Sequence, residues 1–349
     1  MEIDLYTSFE NDTEYNGLSI SCSWELTWLG FSNIKDYKSY DPNKIGVVFV
    51  RFRRISEGKW PTVLECVHHF YPNINYKNTI IVYLDVNDPV DDVRDKRLEL
   101  SQVNVWCANY QHKPYYYIGP FWIKMSLKEI DDNLWNDAVE LGPANLKTKY
   151  FLSLCNIEKS FRSWFYEYID KDLLDNSYWS YVQQGKMLQC SNGINEAMNE
   201  LFTTEQRQHN KKWYEDTFFS VLHETDPRTL FISEKTVKCI RNKHPFIYCG
   251  RQDYVCHLQE LGFKTNYFVK IPSLSKKPER MVRQITKYIS KFIQDKKHIT
   301  YFYCKEAIEE RNYNKKLLLN KSVWDNKITF YAFKALKQTY ENHLAKTNR

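Results

Sequence analysis

The sequence predicts an α/β protein of two domains followed by a helical tail, and three observations carry that prediction. Short β-branched apolar runs alternate with stretches of helical length and spacing. A Gly-Pro break near residue 142 separates a looser first half from a second half in which the alternation is clean. Residues 306–349 are basic and helical in spacing, with Val323-Trp324 and Phe330-Tyr331-Ala332-Phe333 supplying apolar faces that must pack on something.

Length and composition fit this class. At roughly 100–200 residues per domain, 349 residues make two domains of ordinary size, each with a real core. With 43% hydrophobic, 26% charged and only 10 Gly and 11 Pro, the chain is neither collagen-like, low-complexity nor disordered. No apolar run approaches the ~20 residues that cross a bilayer. The start, Met1-Glu2-Ile3-Asp4, is acidic where a secretory signal is basic and then apolar, so a cytoplasmic location is expected. The nine cysteines are scattered, form no CxxC pair and lie beside apolar residues, as buried reduced thiols do.

In chain order, residues 44–50 and 79–84 read as strands buried on both faces, because each is a continuous β-branched run. Residues 103–107 and 115–118 give two further strands, with a charged helical stretch over 92–100 between them and the first pair. Leu141-Gly142-Pro143-Ala144-Asn145 sets the boundary, giving domains at 1–145 and 146–305 before the tail at 306–349. In the second domain 149–154 is a strand, and Phe161, Trp164, Phe165, Tyr168 and Ile169 mark a helix. Ile194, Met198, Leu201 and Phe202 mark another helix, 218–222 is a strand, and a helix starts near Ser233. Residues 244–249 form a strand, Asp253 to Leu261 a helix ended by Gly262, and 263–269 a returning strand. Helices of this length between strands imply right-handed crossovers in a parallel sheet. Between 270 and 297, Met281, Ile285, Ile289 and Phe292 recur at helical spacing, which makes the surrounding lysines and arginines the wet face of an amphipathic helix.

The stretch richest in chemistry is Phe231-Ile232-Ser233-Glu234-Lys235-Thr236-Val237-Lys238. Ser233 stands where an N-cap belongs, and the first turn behind it offers free N–H groups and the positive end of the helix dipole to a phosphate. Lys235 and Lys238 add ammonium groups, and Glu234 is a carboxylate suited to a sugar diol.

Around that stretch lie Phe218 to Thr225, ending Leu-His-Glu-Thr, then Pro245-Phe246-Ile247-Tyr248-Cys249-Gly250 and Leu261-Gly262-Phe263-Lys264-Thr265. Upstream lie Tyr150 to Asn156, Phe161-Arg162, Leu173-Leu174-Asp175 and Trp179-Ser180. Over 148–268 this order resembles the C-terminal half of a glycosyltransferase-like family common in phages and large viruses. The Glu-Lys pair is similar to that of the α1,3-fucosyltransferases and, more loosely, the exostosins. The resemblance implies a GT-B-like fold, two Rossmann-like domains facing a cleft, with a nucleotide-sugar donor held mainly by the second. It implies a sugar transferase of hexosyl or fucosyl type acting on a hydroxyl acceptor, glycan or other, in a host cytoplasm if the chain is viral. Asn156, Arg162, Glu224, Ser233, Glu234, Lys235 and Lys238 fall at its donor-binding positions, and Phe231 stands where the fucosyltransferases carry a tyrosine. The segment after Asn156, Ile157-Glu158-Lys159-Ser160, has fewer arginines than the family, and Lys270-Ile271-Pro272-Ser273 replaces its acidic segment.

Sugar transfer also needs a base for the acceptor hydroxyl. Asp88, Asp85, Glu65 and the His68-His69 pair are the candidates in the first half, Asn87-Asp88-Pro89 resembling an acidic-Pro element of related sequences. No cofactor is expected beyond the donor itself, and no divalent metal, although Asp85-Val86-Asn87 and Asp170-Lys171-Asp172 match a loose DxD pattern. The competing class is a nucleic-acid-binding or replication-associated viral protein using the basic 276–297 helix. Against it stands a net charge of only +6, too mild for a dedicated basic surface. A third possibility is a degenerate scaffold kept as an interaction module.

Overall fold

The structure, a computed structural model, describes residues 3–8, 14–15, 18–20, 23–52, 63–85, 103–107, 115–117, 119–131, 139, 141–155, 160–183, 186–190, 211–223, 232–250, 253–271, 275 and 277–347. The chain forms two compact α/β units, residues 1–122 with 322–349 and residues 123–321.

The first unit contains β1 (Asp4–Thr7), β2 (Glu14–Tyr15), β3 (Leu18–Ile20), α1 (Ser23–Trp28), β4 (Ile34–Asp36), β5 (Gly46–Phe52), α2 (Val63–Phe70), β6 (Thr79–Asp85), β7 (Val103–Cys107) and β8 (Tyr115–Tyr117). They make one mixed sheet: β5, β6, β7 and β8 run parallel in that order, and β1 lies parallel to both β5 and β4. The β2–β3 hairpin joins antiparallel to the far end of β5. Val47, Val48, Phe49 and Val50 are all fully buried, so β5 is covered on both faces as its unbroken apolar run requires. Alternation sorts its side chains. Val48 and Val50 meet Val63, Cys66 and Val67 of α2, while Phe49 packs on Trp106 at 5.3 Å between ring centroids.

The second unit contains β9 (Lys149–Cys155), with α3 (Phe121–Asp131) spanning the division before it. Then come α4 (Ser160–Tyr168), α5 (Lys171–Asp175), β10 (Tyr178–Gln183), β11 (Lys186–Cys190), α6 (Lys211–Asp216), β12 (Thr217–Leu222), α7 (Glu234–Arg241), β13 (Phe246–Tyr248) and α8 (Asp253–Glu260). The helical region adds α9 (Pro278–Gln294), α10 (Lys297–Tyr303), α11 (Lys305–Leu318) and α12 (Lys321–Thr347). The sheet order is β11-β10-β9-β12-β13, parallel except for the β10–β11 hairpin. The first strand in sequence is therefore central, and the chain leaves it in opposite directions to β10 and to β12.

Two sequence expectations are corrected here. The units divide after residue 122, so the Gly142-Pro143 break is a turn inside the second unit, leading into a 3-10 turn at Ala144–Leu146. The tail is also not a separate element. α11 belongs to the second unit, and α12 returns to the first, where Trp106 Nε1 donates to Thr339 Oγ1 at 3.0 Å and Phe333 packs on Phe31. An amphipathic helix cannot bury its stripe alone, and each takes the sheet nearest to it. Gly30, at φ +92°, permits this approach: a Cβ there would stand 2.3 Å from Thr329 Oγ1.

A further correction concerns 263–269, which is an irregular turn and not a strand. Its main-chain groups bond to α11 instead of to a neighbouring strand. The Glu310 carboxylate accepts from Asn266 N (3.0 Å), Asn266 Nδ2 (2.9 Å) and Tyr267 N (3.1 Å), and Asn314 accepts from Lys264 N and donates to Lys264 O, both at 2.8 Å. Gly262 does end α8, at φ +98°. The helix around Ile194, Met198, Leu201 and Phe202 and the stretch at 92–100 lie outside the described residues.

The basic stretch behaves as its periodicity predicts. Met281, Val282, Ile285, Ile289, Phe292 and Ile293 of α9 are buried in the core with Phe151, Phe165 and Phe219, and Arg283, Lys287 and Lys291 are exposed. Among the described cysteines, Cys66, Cys155, Cys239 and Cys249 are buried free thiols. No described helix is long and apolar enough to cross a membrane.

Candidate functional site

In an open parallel sheet, a crevice forms where neighbouring strands send their connections to opposite sides. Here that point lies between β9 and β12, at Cys155 and at His223, the residue following β12. Two helices bring cations to it.

The first is α4, whose opening turn carries Arg162. Its guanidinium is 3% exposed, and Nη2 donates to the main-chain oxygen of His223 at 3.2 Å. The second is α7. Ser233 has extended backbone (φ −94°, ψ 179°), and its hydroxyl accepts from Lys235 N at 3.2 Å, the N-cap that the sequence predicts. Behind the cap, Thr236, Val237, Cys239 and Ile240 are buried, leaving Glu234, Lys235 and Lys238 half-buried on the other face. A hydrogen bond between the Thr236 and Tyr254 hydroxyls, with Tyr254 stacked on Tyr248 at 3.7 Å, ties this helix start to α8 and β13.

The two cations converge. Burial drives the Cys155 thiol upward, and both Arg162 and Lys235 pull it part of the way back. Burial drives the His223 imidazole far below its ordinary value, and the same two cations push it further down. Lys235 Nζ lies 3.1 Å from Glu234 Oε1. Burial alone would raise the Glu234 carboxyl, but Lys235 and Lys238 outweigh it and hold the group ionised below its usual range. The crevice thus offers two cations, a capped helix N-terminus and an ionised carboxylate.

Arg162, Ser233, Glu234, Lys235 and Lys238 therefore share one end of one sheet. Asn156, Glu224 and Asp88 lie outside the described residues, and so does the side chain of Asp85, whose backbone closes β6 opposite Cys107. His68 is in the first unit, exposed on α2, with Nε2 2.8 Å from the Tyr76 hydroxyl, and Glu65 and His69 are exposed on the same helix. Of the two DxD-like triplets, Asp170-Lys171-Asp172 is a helix start: Asp170 accepts from Asp172 N at 3.0 Å as the cap of α5. Among the described residues no three His, Cys, Asp or Glu side chains are grouped to hold a metal.

His223 has no role in the sequence pattern, where it is only the residue that follows the 218–222 strand. Its signal was positional: it is the first residue past a parallel strand at a switch point, where side chains face the crevice region.

No family model and no curated protein matches the chain. A solved crystal structure of an α1,3-fucosyltransferase is similar at 10% identity over 92% of this chain and 91% of that one, with a TM-score of 0.42. The functional reading rests on the chain's own residues.

Proposed function

We propose that the protein is a glycosyltransferase whose second unit binds the diphosphate of a nucleotide sugar at this switch point. The observation that carries the reading is the convergence of Arg162 and Lys235 on the ends of β9 and β12, beside the capped N-terminus of α7. As the anomeric C–O bond breaks, its electron pair stays on the departing diphosphate. Fixed cations and helix N–H groups already aimed at that charge lower the barrier. Glu234, ionised beside Lys235 and Lys238, is suited to accept from the ribose hydroxyls.

The acceptor oxygen forms the new bond to the anomeric carbon and gives its proton to a base. In this reading the first unit supplies the acceptor site and the base, from among Asp88, Asp85 and His68. The donor contacts would extend to Asn156 and Glu224, which fall at donor-binding positions of the family that the sequence resembles.

A thermal-shift screen of GDP-, UDP- and dTDP-sugars tests the reading. A ligand present at a hundred times its dissociation constant stabilises the fold by about 2.7 kcal/mol, a plain rise in Tm. One nucleotide class should give that rise, and Lys235→Ala should remove most of it. If no nucleotide sugar or free nucleoside diphosphate raises Tm, the donor site does not exist.

A further inference from the structure

His223 is unusual among the described histidines. Its ring is fully buried, and neither Nδ1 nor Nε2 has a hydrogen-bond partner. His244, equally buried, bonds through its ring to Ser220 Oγ at 2.9 Å and to Thr217. An orphaned buried polar group is destabilising, and such groups are rare enough to call for an explanation.

The surroundings of His223 supply one. Arg162, Phe165 and Tyr166 stand at i, i+3 and i+4 on α4, one face of the helix. His223 docks on all three: its carbonyl accepts from Arg162, and its ring meets Phe165 edge-on at 4.5 Å and Tyr166 at 6.1 Å. The residue thereby seats the end of α4 that carries the cation. Around the ring stand Arg162 and Tyr166 from α4, Cys155 from β9 and Lys235, itself paired with Glu234, from α7. Among the described residues, the charges acting on the ring are both positive, so an empty site keeps it neutral.

We propose that His223 is a positioning residue that couples anion binding between Arg162 and Lys235 to uptake of one proton by its imidazole. The inference rests on the anion site proposed above and adds its regulation. An anion that neutralises the two cations removes the repulsion that opposes protonation and provides an acceptor for the new N–H. The proton comes from solvent, and no bond other than N–H is made or broken. Binding then raises the affinity of the ring for a proton, and by linkage a lower pH tightens binding.

Sulfate is the probe, because it keeps both charges through the pH range needed. Calorimetric titration of the full chain between pH 8 and 5.5, at constant ionic strength, should show the dissociation constant falling with pH. The limit for one coupled proton is about tenfold per pH unit. Imidazole nitrogen NMR should show a neutral ring in the free protein turning to imidazolium as sulfate saturates. His223→Phe keeps the ring packing and His223→Gln keeps a polar atom; both should bind sulfate without pH dependence and lack the imidazolium signal. PH-independent binding by the wild type, or pH dependence surviving in both variants, would overturn the coupling while leaving the anion site intact. No sulfate binding at any pH would remove the anion site, and the coupling with it.

Discussion

The two α/β units bury different chemistry. In the first, the buried polar side chains among the described residues are hydroxyls: Thr7, Ser8, Thr79 and Thr339. The second buries Lys147, Arg162, Glu310, His223, His244, His257 and His298 as well. A buried ionisable group must be paired, neutralised or put to use. In the second unit some serve structure: Lys147 donates to the carbonyls of Tyr214 and Glu215 at the end of α6, and burial lowers its ammonium to about 8. Others, Arg162 and His223, gather at the switch point. The difference teaches where to look for function, since among the described residues only the second unit carries Lys, Arg, His or Glu side chains into its interior.

Acid should separate the units most. Burial holds the imidazoles of His244, down to about 3, and of His223 below their unfolded value near 6.5. A depressed folded pKa means that the unfolded chain takes the proton first. Stability is complete above pH 6.5 and is lost as pH falls toward the folded values. At pH 5 His244 alone costs about 2 kcal/mol, and His223 acts in the same direction. Hydrogen exchange, corrected for intrinsic rates, should show β9 and β12 losing protection between pH 7 and 5 by more than β5 and β6. Equal loss in both sheets would mean that the buried imidazoles do not set the difference.

Glu310 gives the next effect. Glu310→Ala strips the acceptor from two main-chain N–H groups and the Asn266 amide, at a cost of about 3 kcal/mol in urea unfolding. Glu310→Gln keeps one carbonyl and should cost less than half of that. Similar costs for both would show that packing, not acceptance, matters at this position.

This segment also shows where the sequence stops being legible. The apolar-rich runs at 46–52, 79–85, 149–155 and 217–222 identify themselves, because strands covered on both faces need apolar side chains along most of their length. Ser233 identifies its helix start because capping is local. Residues 263–269 have the same apolar look as a strand, but their hydrogen bonds go to Glu310 and Asn314, more than forty residues away, and no local pattern records a partner at that distance. The β10–β11 hairpin escaped for a related reason, since its pairing with β9 is made in space. For the site, the Ser-Glu-Lys start and Arg162 were visible as residue types. Their convergence depends on the strand order, and so did the importance of His223.

Lys235 should affect binding and leave the fold alone. Its ammonium is partly exposed and pairs with its neighbour Glu234. Losing one charge-assisted bond to a phosphate costs roughly 1.5–3 kcal/mol, so Lys235→Ala should weaken the best nucleoside diphosphate about 10- to 100-fold. Glu234→Gln should weaken it as well, since an amide is a poorer acceptor for a diol. Calorimetric titration beside thermal melts separates affinity from stability. Unchanged affinity in both variants would make α7 plain scaffold.

The smallest effect compares a cap in each unit. Ser233 Oγ accepts from Lys235 N at 3.2 Å with its side chain buried, and Asp36 Oδ1 accepts from Lys38 N at 2.9 Å at an exposed 3-10 turn. Removing an N-cap acceptor typically costs about 1 kcal/mol, because a first-turn N–H loses its partner. Where water can replace the lost oxygen, the cost shrinks toward a few tenths of a kcal/mol. Ser233→Ala should therefore lower stability by about 1 kcal/mol with or without nucleotide, and Asp36→Ala by clearly less. Ser233→Thr, which restores the hydroxyl, should recover most of the loss if the buried site admits the extra methyl. Urea unfolding of the three variants decides it. A larger loss for Asp36→Ala than for Ser233→Ala would mean that burial does not govern these caps, and α7 would then owe its position to Thr236, Val237 and Ile240 packed beneath it.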